Sequence, residues 1–191
     1  MAKRRKASPR GLDRCSRRPI PQIARHEKTL RPQDRRVFEI QPLSGESGDI
    51  PNPAPNGRYS SYNTNVSARN FIVRVTFTNP YDGSDPAGDK WDYGIIFRQT
   101  NTNREYRLVL LSDFGWFLLL YQGSAANFQQ IATSVIPQGA LHLGEGETNK
   151  LELVVNGETG YFFLNGYFIS TFSVADKMDS GKILITVGNF V

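Results

Sequence analysis

An all-β fold, an antiparallel sandwich of two sheets, is what the sequence predicts, on three observations. Short apolar segments follow one another from Tyr59 onward, at the roughly 8 to 12 residue spacing of sandwiches and barrels. Several of them alternate apolar and polar residues with period 2, the mark of a half-buried strand. Asn165-Gly166 separates two such segments, and Asn-Gly suits the tight hairpin turn that needs positive φ at both central residues. Beyond a turn near Val174 to Met178, no stretch of helical period competes. The single cysteine, Cys15, allows neither an internal disulfide nor a cysteine-based zinc site. Packing of the 39% hydrophobic and 12% aromatic residues has to hold the fold.

The strands follow in order. Asn70 to Phe77 puts Phe71, Val73, Val75 and Phe77 on one face and Ile72, Arg74 and Thr76 on the other, and Asn79-Pro80 ends it. Trp91 to Arg98 alternates likewise, with Trp91, Tyr93, Ile95 and Phe97 opposed to Asp92, Gly94, Ile96 and Arg98. Glu105 to Ser112 and Trp116 to Gln122 flank Asp113-Phe114-Gly115 and read as a hairpin. Both are apolar on both faces, as central strands covered on two sides are. Phe128 to Thr133 is a weaker strand. Leu151 to Val155, Tyr161 to Leu164 and Tyr167 to Phe172 form a meander, turning at Asn156-Gly157-Glu158-Thr159 and at Asn165-Gly166, and Lys182 to Val187 is the last strand.

Charge divides the chain. Residues 1–36 carry 13 Lys or Arg against Asp13, Glu27 and Asp34, a net of +10, whereas the rest carries 10 basic and 15 acidic residues. All 22 aromatics follow Arg36, so 1–36 has little apolar surface to offset the entropy of ordering and reads as a disordered basic arm. Residues 37–58, rich in Pro and Gly, read as a linker, and 59–191 as the sandwich domain. The sequence shows neither the apolar core of a signal peptide nor the ~18 to 20 consecutive apolar residues of a membrane-spanning helix. The compartment stays open.

The strand order carries specific motifs: Phe71-Ile-Val-Arg-Val-Thr-Phe77, Asn79-Pro80-Tyr81-Asp82, Trp91-Asp-Tyr-Gly94, Phe97-Arg98, Tyr106-Arg107-Leu108, Trp116-Phe117, Leu151-Glu-Leu-Val-Val-Asn-Gly157 and Leu164-Asn-Gly166. With these, residues 59–187 resemble the concanavalin A-like lectin and glucanase superfamily, and within it laminin-G-like domains and the 3-keto-disaccharide hydrolase type. The resemblance implies a jelly roll whose relatives bind glycans or other ligands on one concave sheet. The Glu-x-Asp-x-Glu cluster of the superfamily's β-glucanases is absent from the sequence, so the resemblance transfers no activity.

Candidate binding residues are those whose chemistry suits a sugar. Trp91, Tyr93, Trp116, Tyr121, Tyr161 and Tyr167 offer flat faces for a pyranose ring, while Arg98 and Arg107 offer guanidinium forks for hydroxyls or carboxylates, with Asp92 beside them. The competing reading places the aromatics in the core and the arginines in salt bridges with Asp92 or Glu105. Asp82, Asp85 and Asp89 lie in one Gly- and Pro-containing loop and supply hard oxygens of the kind calcium takes, without the spacing of an EF-hand.

Three readings follow. The first is a noncatalytic recognition module for a glycan or a protein surface. The second is a glycoside hydrolase-like enzyme with Asp92, Glu105 or Glu152 as acid or base. The third is nucleic-acid tethering by the basic arm, through Lys3-Arg-Arg-Lys6 and Arg17-Arg18.

Overall fold

The computed structural model describes residues 59–86, 90–113 and 115–188. The expected arm, the linker and Asp89 lie outside the described residues. Among the described residues ten strands are formed: β1 (Tyr59–Ala68), β2 (Phe71–Thr78), β3 (Asp92–Asn101), β4 (Arg104–Leu111), β5 (Trp116–Ser124), β6 (Asn127–Thr133), β7 (Thr148–Asn156), β8 (Thr159–Leu164), β9 (Tyr167–Ser173) and β10 (Gly181–Gly188). They build a six-stranded sheet in the order β1-β10-β3-β4-β5-β6 and a four-stranded sheet in the order β2-β7-β8-β9. Every pairing is antiparallel. The architecture is the expected jelly-roll sandwich.

Alternation builds the core. From the six-stranded sheet, Tyr93, Ile95, Phe97, Tyr106, Leu108, Leu110, Trp116, Leu118 and Leu120 point inward. They meet Phe77, Leu151, Leu153, Val155, Phe162, Leu164 and Phe172 of the other sheet. The β8–β9 turn is as the sequence predicts, with φ of 50° at Asn165 and 85° at Gly166. Asn165 also ties this turn to the start of β7 and to the loop before it. Its side-chain amide donates to the Ala140 carbonyl and to Asn149 Oδ1, and its Oδ1 accepts from the Lys150 N–H.

Among several register shifts in the sandwich, one displaces a predicted site residue. Arg98 takes φ of 51°, and the β10 pairing shifts so that Ile96 faces Leu184 while Gln99 faces Lys182. This bulge turns Arg98 out of the row of Asp92, Gly94 and Ile96, where the sequence pattern puts it. Gly181 is what lets it form, because a Cβ there would collide with the Arg98 backbone.

Candidate functional site

The outer face of the six-stranded sheet becomes polar toward one margin. Register aligns Glu105 with Tyr121, and Tyr121 with Phe128, in one row across β4, β5 and β6. Glu105 is fully buried. Its Oε1 accepts from Arg107 Nε at 2.6 Å, with Arg107 Nη2 at 2.5 Å, and its Oε2 accepts from Gln99 Nε2 at 2.5 Å. Arg107 also donates to Asn103 Oδ1 at 3.2 Å, and its guanidinium lies 4.0 Å from the centroid of the Tyr121 ring. A charge this well paired, set over an aromatic face, fixes the ring it covers.

Beyond Tyr121 the row opens to solvent. Phe128 stands 5.5 Å from it, centroid to centroid, and is 53% exposed. Exposed Gln130, two residues along β6 and opposite Leu119, shares its face, while Gln129, opposite inward-facing Leu120, and Gln122, next to Tyr121, alternate to the other. A cleft of about 360 Å³, lined by Thr100, Arg104, Leu120, Tyr121, Gln122, Asp176, Lys177 and Asp179, reaches Tyr121 and has no lining residue on β6. An exposed apolar ring with an amide side chain on the same strand face is chemistry for a ligand with an apolar face and hydroxyls.

The other predicted residues are placed elsewhere. Trp91 and Tyr93 are 3% and 2% exposed and stack on each other at 4.7 Å, with Tyr93 stacked in turn on Phe77. Trp116 is fully buried against Phe162, its indole N–H donating to Ser134 Oγ. None of the three presents a ring face to solvent, because each stands on an inner row. The Tyr93 hydroxyl donates to Asn79 Oδ1 and accepts from Asn149, and burial pushes its pKa up. Burial also pushes the Tyr106 hydroxyl up to about 12.

Arg98 serves the fold. Its guanidinium donates to the carbonyls of Arg69, Gly157, Val174 and Lys177, at 2.6 to 3.2 Å. Burial lowers its pKa from the ordinary value. All these acceptors are backbone groups, so the fork knots together three loops at one end of the sandwich.

The candidate carboxylates are not brought together. Asp92, 2% exposed, faces Leu111 across β3–β4. Glu105 lies six residues away along β4, about 20 Å at ~3.3 Å per residue. Glu152 stands on the four-stranded sheet, paired with Arg74 at 2.6 Å. Glycosidase carboxyl pairs sit about 5 to 9.5 Å apart.

In the acidic loop, Asp82 Oδ1 accepts from the Ser84 N–H and hydroxyl. The Lys90 ammonium donates to the carbonyls of Gly83 and Asp85. A lysine cation thus occupies backbone oxygens that a metal ion would use. Among the described residues no three Asp, Glu, His or Cys side chains gather as a metal site.

The sequence reading missed Phe128. The signal was present in Asn127-Phe-Gln-Gln130, an aromatic set among amides ahead of the apolar Ile131-Ala132 that packs on the core.

No protein-family model and no curated protein matches the sequence. In structure, the chain is similar to a Bacillus subtilis carbohydrate-binding module, CBM66, with 11% identity and TM-score 0.52, over 67% of this chain and 73% of that one. It is also similar to a Bacteroides ovatus endo-glucanase of glycoside hydrolase family 16, with 14% identity and TM-score 0.50, over 69% of this chain. It spans 61% of that enzyme's length. The fold is therefore the concanavalin A-like jelly roll that the motifs suggested. A binding module and a hydrolase share it, so the fold alone does not choose between them.

Proposed function

We propose that this domain is a noncatalytic, lectin-like recognition module that binds carbohydrate at the β5–β6 margin of its six-stranded sheet. The observation that carries this is the exposed Phe128 ring, backed by Tyr121 and by the Arg107–Glu105 pair beneath it. Phe128 takes the apolar face of a pyranose, and Gln130, on the same face of β6, meets its hydroxyls. Arg107 acts as a positioning residue, since its guanidinium is engaged with Glu105, Asn103 and Tyr121. The scattered carboxylates support binding rather than hydrolysis.

The test is a glycan-array screen of the whole chain, followed by calorimetry with the best hit. Phe128→Ala is expected to weaken that affinity at least tenfold while the glycan is recovered unhydrolysed. Equal affinity for the wild type and Phe128→Ala would move the site elsewhere. A panel with no hit from folded protein would turn the reading toward a protein surface.

A further inference from the structure

Tyr106 and Leu120 face each other on β4 and β5 and point into the core. Two residues on, the same inner row continues with Arg104 opposite Gln122, and both are exposed at the mouth of the sandwich. Residues 174–179, after β9, bound this mouth. The Lys177 N–H donates to the Tyr106 hydroxyl, and the Val174 and Lys177 carbonyls accept from the Arg98 guanidinium. Between this segment and the strands lies the cleft of about 360 Å³, a volume within the ~300 to 1,000 Å³ of small-molecule sites.

The charges that line it are incompletely used. The Lys177 side chain is only 10% exposed, yet of its three ammonium donors one alone has a partner among the described residues, Asp179 Oδ2 at 3.3 Å. Asp179 itself stands largely in water. The Arg104 guanidinium rests against Gly123, its Nε 3.6 Å from where a Cβ there would stand. Among the described residues neither this guanidinium nor the Asp176 carboxylate has a hydrogen bond or an ion pair. Arg98 and Arg107, by contrast, meet carbonyl, carboxylate and amide oxygens.

We infer that this cleft is a second binding site, separate from the Phe128 margin, for a sugar acid. The ligand's carboxylate takes the Arg104 fork and the spare donors of Lys177. Its hydroxyls donate to Asp176 and exchange hydrogen bonds with the Gln122 amide and the Thr100 hydroxyl, which line the same cleft. The mixed charge of the lining selects the ligand. A neutral sugar leaves two cations unanswered, whereas a dianion such as phosphate meets Asp176 and Asp179 beside the cations it seeks. One carboxylate among several hydroxyls answers both signs. The wall stands ready before the ligand arrives, because Arg98 and Tyr106 anchor residues 174–177, and preorganisation of this kind lowers the cost of binding.

Calorimetry of the whole chain with glucuronate, glucose and inorganic phosphate, at neutral pH and low salt, tests this. Glucuronate is expected to bind saturably and about tenfold or more tightly than either of the others, the worth of hydrogen bonds to a charged group. Arg104→Gln should weaken it by about the same factor. The 13 Lys or Arg of residues 1–36 are unchanged in that variant, so the loss reports the cleft. Asp179→Asn, which withdraws the carboxylate that Lys177 now holds, should tighten glucuronate several-fold, and Phe128→Ala should leave it unaltered. Positions 104 and 179 are exposed, so circular dichroism of both variants should match the wild type. The comparison of the three ligands uses the wild type alone and decides even where a variant fails to fold. No saturable glucuronate binding, equal binding of glucose or phosphate, weaker binding in Asp179→Asn, or an affinity that follows Phe128 and not Arg104 would overturn the inference.

Discussion

The middle of the six-stranded sheet and its β6 margin use similar residues to opposite ends. In the middle, β3 and β4 are buried on both faces, so that even Arg98 and Glu105 are fully enclosed. At the margin, Phe128 is 53% exposed on a strand whose other residues are mostly polar. An enclosed arginine must satisfy every donor internally and becomes part of the fold, whereas a ring at the rim remains available to a ligand. Residue type marked Arg98 for binding and passed over Phe128, and position in the sheet reversed both.

Replacing Arg98 tests the enclosed half most severely. Arg98→Met removes the donor that four backbone carbonyls share, and each buried acceptor left unsatisfied costs about 1 to 3 kcal/mol. Urea denaturation is expected to show a loss on the order of 4 kcal/mol or an unfolded chain, and Arg98→Lys is expected to recover little, because an ammonium lacks the planar fork. A loss under about 1 kcal/mol would mean that the bulge, and not the guanidinium, holds the three loops together.

Next in size is the Glu105–Arg107 pair. Arg107→Met leaves the Glu105 carboxylate buried with only Gln99 to answer it, and breaking a buried pair from one side costs about 3 kcal/mol. The same variant frees the Tyr121 ring, so glycan affinity is expected to fall together with stability. Phe128→Ala separates the two.

Much of this was legible in the sequence. Phe71 to Phe77 and Asn165-Gly166 gave their strand and turn because period and turn chemistry are local properties. The placement of Arg98 was not legible, since its positive φ depends on Gly181 and on a register shift in a strand more than eighty residues away. The burial of Trp91 and Trp116 was legible as one of two readings, the one the structure bears out. An aromatic on a strand looks alike in sequence whether its face meets the opposite sheet or solvent, and only the pairing of sheets decides.

Tyrosine titration gives a smaller and graded effect. The Tyr106 hydroxyl accepts from the Lys177 N–H at 3.1 Å, and burial holds its pKa at about 12, above the ordinary value of 10.0. The folded state therefore retains this proton where the unfolded chain releases it. The corresponding stability is fully present below pH 10 and is lost as pH rises toward 12. Stability measured by denaturation across that range should fall, and Tyr106→Phe should flatten part of the slope. Tyr93, raised in the same direction, supplies the remainder, so a slope unchanged in Tyr106→Phe would assign the effect to Tyr93 alone.

Phe128→Ala should have the smallest effect on stability, and that smallness is informative. Its ring is half in water and touches Tyr121 at the sheet's edge, so truncation should change unfolding free energy by no more than about 1 kcal/mol, well below the 3 to 5 of a fully buried aromatic. If binding nevertheless falls tenfold, the ring is held at the surface for its ligand and not for the fold. If stability falls as it does for a core aromatic, Phe128 packs against something that seals it, and the margin of the sheet is as enclosed as its middle.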